Sequence, residues 1–347
     1  MSRLREVLGV EVPIVLGPFG GLSSVGLTAA VSEGGGLGSF GLYGYAPERI
    51  RDTVAALHAA TGKPIAVNLW MPRGDEVTPD DVDLQRYVDA AGDLFARAGI
   101  ARPEAPRAFI PPVAEQLEAV FDARPDVLSV VFGVPDAATL ATARELGIRV
   151  IGTATSVDEA RALDAAGVDA IVATGMEAGG HRVSFLRDAS ASLVGTFALV
   201  PQVVDAVGVP VIAAGGIADR RGVAAAFALG AEGVQVGTAF LRTRQSAATR
   251  AHREAIASAS DTTTVLTTAM SGRLARGVPN DAVRAIEESG EIAPFPAQNW
   301  LTGVFRQAAA ASGDAELLSL WLGQAAGLAR LDDAADVLAE LRAGLPL

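Results

Sequence analysis

Eight short apolar runs, each ending in glycine or a small polar residue and most followed by an Ala-rich amphipathic stretch, limit what this chain can become. They lie near residues 12, 37, 64, 127, 149, 170, 210 and 233. Because they are apolar throughout rather than alternating, they read as strands covered on both faces, as in a parallel sheet. Two later stretches share one cadence. "GIRVIGTATSVDEARALDAAGVDAIVATG" and "GVPVIAAGGIADRRGVAAAFALGAEGVQVGTAF" each run strand, helix, glycine, strand, as in βαβ units, and together they resemble an internal duplication. Eight such units predict an α/β protein whose residues 1–241 form a (β/α)8 TIM barrel. An open doubly wound sheet has the same rhythm, but no G-x-G-x-x-G follows the first strand.

Local signals support the alternation. Ser23 or Ser24 caps a helix over "SSVGLTAAVSEGGG", and Pro47 sits in the first turn of "APERIRDTVAALHAATG", where its missing N–H costs nothing. The rhythm breaks after the third strand. Residues 73–112 are polar and Pro-containing and are expected to form an insertion with one helix in "TPDDVDLQRYVDAAGDLFARAG". Residues 242–347 exceed eight units. They are expected to be a mostly helical extension that covers or flanks the barrel mouth.

Composition removes several function classes. The chain of 347 residues carries a formal charge of -12, which argues against nucleic acid and against an anionic membrane surface as partners. It has no cysteine, so disulfides, thiolate metal sites and thiol nucleophiles are excluded, and no metal site is expected. "MSRLREVLGVEVPIVLGPFGG" lacks the layout of a signal peptide, and no apolar run is long enough to span a bilayer. A soluble cytoplasmic protein is expected. A homodimer is the candidate assembly, although nothing in the sequence fixes it.

In a barrel of this type, chemistry sits at the C-terminal ends of the strands. The seventh and eighth strands end in Gly215–Gly216 and in Gly237–Thr238. Adjacent loops with free N–H groups near a helix beginning at Asp219 suit a phosphate, and Thr238 adds a hydroxyl. "GPFGG" after the first strand and Asn68 in "NLW" after the third offer an apolar wall and an amide, suited to the edge of a planar heterocycle. "TGMEAGGHR" after the sixth strand brings His181, the only strand-end histidine. Of the other polar residues, Glu177, four residues before His181, could orient it but reads first as an exposed loop carboxylate. Arg182 and Arg273 could bind an anionic substrate but read first as partners in surface pairs, and His58 and His252 read as surface histidines. Trp70, Trp300 and Trp321 could line a pocket but read first as core.

"GMEAGGHR" (175–182) followed by "AAGGIADRRGVAAAFALGAEGVQVGTAFL" (213–241) resembles the nitronate monooxygenase family, also called 2-nitropropane dioxygenases. "PIVLGPFGG", "TAMSGRLARGVPN" (268–280) and "LWLGQAAGLAR" (320–330) resemble further family segments, so the likeness covers nearly the whole chain apart from 73–112. It implies an FMN-dependent oxidoreductase. Gly179, Gly180, Gly215, Gly216, Gln235, Val236, Gly237 and Thr238 would hold FMN, chiefly at its phosphate and ribityl chain. Pro18, Phe19, Asn68 and Thr174 would lie along the flavin. His181 would take the α-proton of a nitroalkane or, when protonated, hold the nitronate anion. The flavin would pass electrons from the nitronate to O2, giving a carbonyl compound and nitrite. Thr174 stands where the family often has Gln, Val183 where it often has Gly, and "GPFGG" replaces "APM". These departures bear on the substrate more than on the cofactor. Two rival activities are an NAD(P)H-dependent flavin reductase of the same barrel type, acting on quinones or enoyl thioesters, and a non-redox phosphate-binding isomerase or lyase. A flavin-binding scaffold without turnover is a third reading.

Overall fold

The computed structural model describes residues 3–346. Eight parallel strands form the barrel: β1 (Ile14–Leu16), β2 (Gly38–Gly41), β3 (Ile65–Trp70), β4 (Val127–Val131), β5 (Arg149–Ala154), β6 (Ala170–Thr174), β7 (Val211–Ala214) and β8 (Gly233–Val236). Their spatial order is β1-β8-β7-β6-β5-β4-β3-β2, and a bridge between Val15 and Leu37 joins β1 to β2 and closes the ring.

Strand periodicity divides the core. Val15, Ala66, Val127, Ile151, Val172 and Ile212 point inward and are capped from below by Leu4 and Leu8 of the helix Arg3–Leu8. Their neighbours Leu16, Val67, Leu128, Val150, Ala173 and Val234 face the helical layer. Since side chains alternate along a strand, the inward positions nearer the C-terminal ends become Asn68, Ser129, Thr153, Thr174 and Gln235. The barrel is therefore dry at its base and polar at its mouth.

Ser24 is the cap of the helix Val25–Glu33, with its hydroxyl accepting from the Leu27 N–H at 2.9 Å. Pro47 opens the helix Pro47–Ala60. The insertion differs from the sequence expectation. Its helix is broken at Ala91 into Leu84–Ala90 and Gly92–Arg97, and the Arg102 guanidinium fills the place where a side chain on Gly92 would project.

Beyond residue 241 the chain returns to the barrel twice. The helix Ala334–Arg342 packs against the helices Val25–Glu33 and Arg220–Ala228 and against β1, and so joins the outer layer. Earlier, Val265–Thr267 and Ala275–Gly277 form an antiparallel pair that adds Gly180–His181 as its third strand. His181 is thereby fixed opposite Ala275, from a segment far along the chain. Among the described residues no helix is long and apolar enough to cross a membrane, and no cluster of His, Cys, Asp or Glu could hold a metal ion.

Candidate active site

A cavity of about 380 Å³ opens at the C-terminal ends of the strands. The structure brings twelve of the thirteen sequence-predicted site residues to its wall: Pro18, Phe19, Asn68, Thr174, Gly179, Gly180, His181, Gly215, Gly216, Gln235, Gly237 and Thr238. The exception is Val236. It follows the inward Gln235, so strand alternation turns its side chain out into the helical layer, where it is buried.

One end of the cavity is built from bare backbone. Gly215 and Gly216 have φ of 96° and 73°, left-handed values that glycine adopts without steric cost. Among the described residues, no backbone acceptor takes the N–H groups of Gly215, Gly216 or Gly237. The helix Arg220–Ala228 begins just beyond, capped by Asp219. Thr238 Oγ1 accepts the Gly323 N–H at 3.0 Å, which leaves its own proton to donate. Asn68 is buried and donates to Ser129 Oγ at 3.0 Å.

The other end is aromatic and cationic. The His181 ring lies 4.8 Å from Trp70 and 5.6 Å from Trp321, centroid to centroid. Its Nε2 is 2.8 Å from Ser271 Oγ. The Ser271 hydroxyl donates its single proton to the Arg273 carbonyl at 3.0 Å, so it receives the proton of His181 Nε2. That tautomer leaves the lone pair on Nδ1. Burial, then the Arg273 and Arg306 guanidiniums, push the imidazole down to about 3. His181 is therefore neutral at pH 7 in the free protein.

Several surface readings fail for one shared reason: backbone carbonyls and caps bury polar side chains without leaving a sequence pattern. Arg182 is 1% exposed and donates to the carbonyls of Thr174, Gly175 and Ser192. It thus ties the end of β6 to the loop beyond His181. Arg273 is buried against Asp75 and Glu76, with Phe295 3.8 Å below its guanidinium. His252 is buried and donates Nε2–H to the Trp321 carbonyl at 2.9 Å. Glu177 does not reach His181; its carboxylate accepts the Thr196 N–H and hydroxyl and caps the helix Thr196–Val204. His58 is exposed as expected. Trp70 and Trp321 line the cavity while packing on core clusters, whereas Trp300 packs on Phe109.

Tyr43, Asn299, Arg306 and Ser271 carry no role that the sequence alone suggests. Tyr43 stacks on Trp70 at 4.2 Å and receives the Asn299 amide at 3.1 Å; burial pushes its hydroxyl up to about 12. Of these four, only Ser271 lies in a stretch with a visible signal, "TAMSGRLARG".

The match to known proteins is extensive. The model of the family described as nitronate monooxygenase matches residues 1–344. The chain belongs to this family. It is accordingly an oxidoreductase of a flavin-dependent family. It is 40% identical to a probable nitronate monooxygenase of Staphylococcus aureus, over 98% of this chain and 96% of that one. Among solved structures it is similar to a nitroalkane oxidase from Streptomyces ansochromogenes, at 34% identity and a TM-score of 0.87, over 98% and 96% of the two chains. FabK from Thermotoga maritima is 32% identical with a TM-score of 0.76, over 98% and 94%.

The neutral state of His181 has a consequence for this family member's stability. Its folded pKa lies below its ordinary 6.5, so the unfolded chain binds the proton more readily. The stabilisation is present above pH 6.5 and drains away as pH falls from there toward 3, by up to about 1.4 kcal/mol per unit. Denaturant unfolding between pH 6.5 and 4 is expected to fall more steeply in the wild type than in His181→Asn, by about 1 kcal/mol per unit. Parallel curves would contradict the neutral imidazole.

Proposed function

We propose that the cavity binds FMN and that the protein oxidises nitronates with O2 to carbonyl compounds and nitrite. Two nitronates and one O2 balance two carbonyl groups and two nitrite ions. The observation that carries this reading is the convergence, in one cavity, of unpartnered glycine N–H groups with a neutral histidine.

The residues fit the cofactor. Gly215, Gly216 and Gly237 present free N–H donors, with the Thr238 hydroxyl beside them, a donor set suited to a phosphate. Asn68, Thr174 and Gln235 line the inward face next to Pro18 and Phe19, giving a planar ring one polar edge and one apolar face. FMN, when bound, supplies the electron chemistry that side chains lack. His181 supplies the proton chemistry: Nδ1 takes the α-proton of a nitroalkane and the Ser271 hydroxyl holds the ring in the required tautomer. Trp70 and Trp321 supply an apolar wall beside His181.

Reconstitution with FMN tests the reading. The loaded protein is expected to consume O2 and release nitrite with ethyl nitronate, while NADH and NADPH leave the flavin oxidised without O2. Failure to bind FMN sinks the proposal. Anaerobic bleaching by NAD(P)H without nitrite release from the nitronate favours the reductase reading instead.

A further inference from the structure

Two guanidiniums lie close enough to His181 to oppose its protonation, that of buried Arg273 and that of part-buried Arg306, but their surroundings differ. Arg273 is neutralised by Asp75 and Glu76, at 2.5 and 2.6 Å. Arg306 forms no ion pair with any carboxylate among the described residues. It reaches in from the helix Ala297–Ser312 and lines the cavity with His181, Tyr43, Trp70 and Trp321. Its Nη1 donates to Ser319 Oγ at 2.9 Å, and its Nη2 to the carbonyl and side-chain oxygens of Asn299 at 2.8 Å. These are neutral acceptors, which orient the fork without cancelling its charge. Its Nε is buried and has no partner.

A cation held partly out of water without a counter-charge is costly to keep. The cost is offset when an anion enters the same low-dielectric space. His181, neutral at pH 7, cannot provide that charge. We propose that Arg306 is the anion-binding residue of this cavity, selecting the nitronate over its neutral nitroalkane and leaving His181 free to handle the proton. The assignment rests on the nitronate reading for its substrate, but not for its chemistry: any small planar anion with paired oxygens meets the same charge. Asn299 is the positioning residue, since it also donates to Tyr43 and so locks the guanidinium to the Tyr43–Trp70 wall.

Nitrate, a planar anion that the enzyme cannot oxidise, is the probe. Isothermal titration of the FMN-loaded wild type with nitrate is compared with Arg306→Met and Arg306→Lys, alongside kcat/KM for ethyl nitronate. The Met variant is expected to lose nitrate affinity and kcat/KM by on the order of 30-fold or more, with FMN content unchanged. The Lys variant, which keeps the charge but not the fork, is expected to lose less. Wild-type nitrate affinity in folded Arg306→Met overturns the assignment, as does a kcat/KM within about twofold of the wild type. If the Met variant does not fold, Asn299→Ala carries the test: a severalfold weaker nitrate affinity supports the assignment and an unchanged one overturns it. If the wild type binds nitrate through Arg306 but releases no nitrite from nitronates, the nitronate reading falls and the anion site stands. If nitronates turn over equally well in the wild type and in Arg306→Met, the nitronate reading stands and the anion site falls.

Discussion

His181→Asn is expected to abolish turnover of neutral nitroalkanes while sparing their nitronates. A nitroalkane must surrender its α-proton before oxidation, and a nitronate has already done so. Removing a positioned general base costs on the order of 10²- to 10⁴-fold, so kcat/KM for nitroethane should fall by that much and the value for ethyl nitronate by less than about tenfold. The pH profile sharpens the test. On the proposed mechanism the competent base is neutral His181, whose free-enzyme value is pushed down to about 3 by burial, Arg273 and Arg306. Since kcat/KM reports the free enzyme, the nitroethane profile should show no acid limb near 6.5 and should stay level well below pH 6. As the proton transfers, the new imidazolium faces the new nitronate, and that pairing offsets the repulsion from the two guanidiniums. Equal losses on both substrates would mean that His181 positions the ligand rather than moving a proton.

The barrel was legible because its signals are local. Strand and helix periods, the Ser24 cap, Pro47 and the glycine stops each act within a few residues. The strand ends were legible for the same reason, since the fold alone determines which face of the barrel they share. Val236 was carried over as part of a run, and strand alternation admits the Gln235 side chain to the cavity while turning that of Val236 away. What stayed hidden depends on contacts across the chain. Nothing around "GGH" announces that Ala275 will pair with His181 or that Ser271 will set its tautomer. Arg182, Arg273 and His252 look like surface residues until the carbonyls and carboxylates that receive them are folded into place. Arg306 sits in the Ala-rich "VFRQAAAAS", which reads as any amphipathic helix. Phe132 is similar: its φ of 68° is uncommon for a residue with a Cβ, yet it places the ring 4.7 Å from Trp70 and under Arg273.

Gly179→Val is expected to release the cofactor. Gly179 and Gly323 press backbone on backbone where the loop after β6 meets the C-terminal tail. A Cβ on Gly179 would stand 2.6 Å from the Gly323 nitrogen and the Leu322 carbonyl carbon. A Cβ on Gly323 would stand 2.8 Å from the Glu177 oxygen. Neither neighbour is a side chain that can swing aside, so the two segments must separate. Separation strains the Gln324 N–H bond to the Glu177 carbonyl, at 2.9 Å, and the Gly323 N–H bond to Thr238, at 3.0 Å. The first fastens the tail to the loop that carries His181, and the second fastens it to the proposed phosphate end. Overpacking costs about 1–3 kcal/mol, and each lost hydrogen bond about 0.5–1.5 kcal/mol. Together they reach about 3 kcal/mol or more, which weakens FMN binding on the order of 100-fold if the strain is relieved by opening the site. Titration of free FMN fluorescence by the apoprotein measures this directly. Gly26→Ala is the control, because Gly26 lies in a helix with open space around its Cβ direction, and it should bind FMN as the wild type does. A Gly179→Val protein with wild-type FMN affinity and melting temperature would show that the tail yields without disturbing the cavity, and that the glycine pair does not seal it.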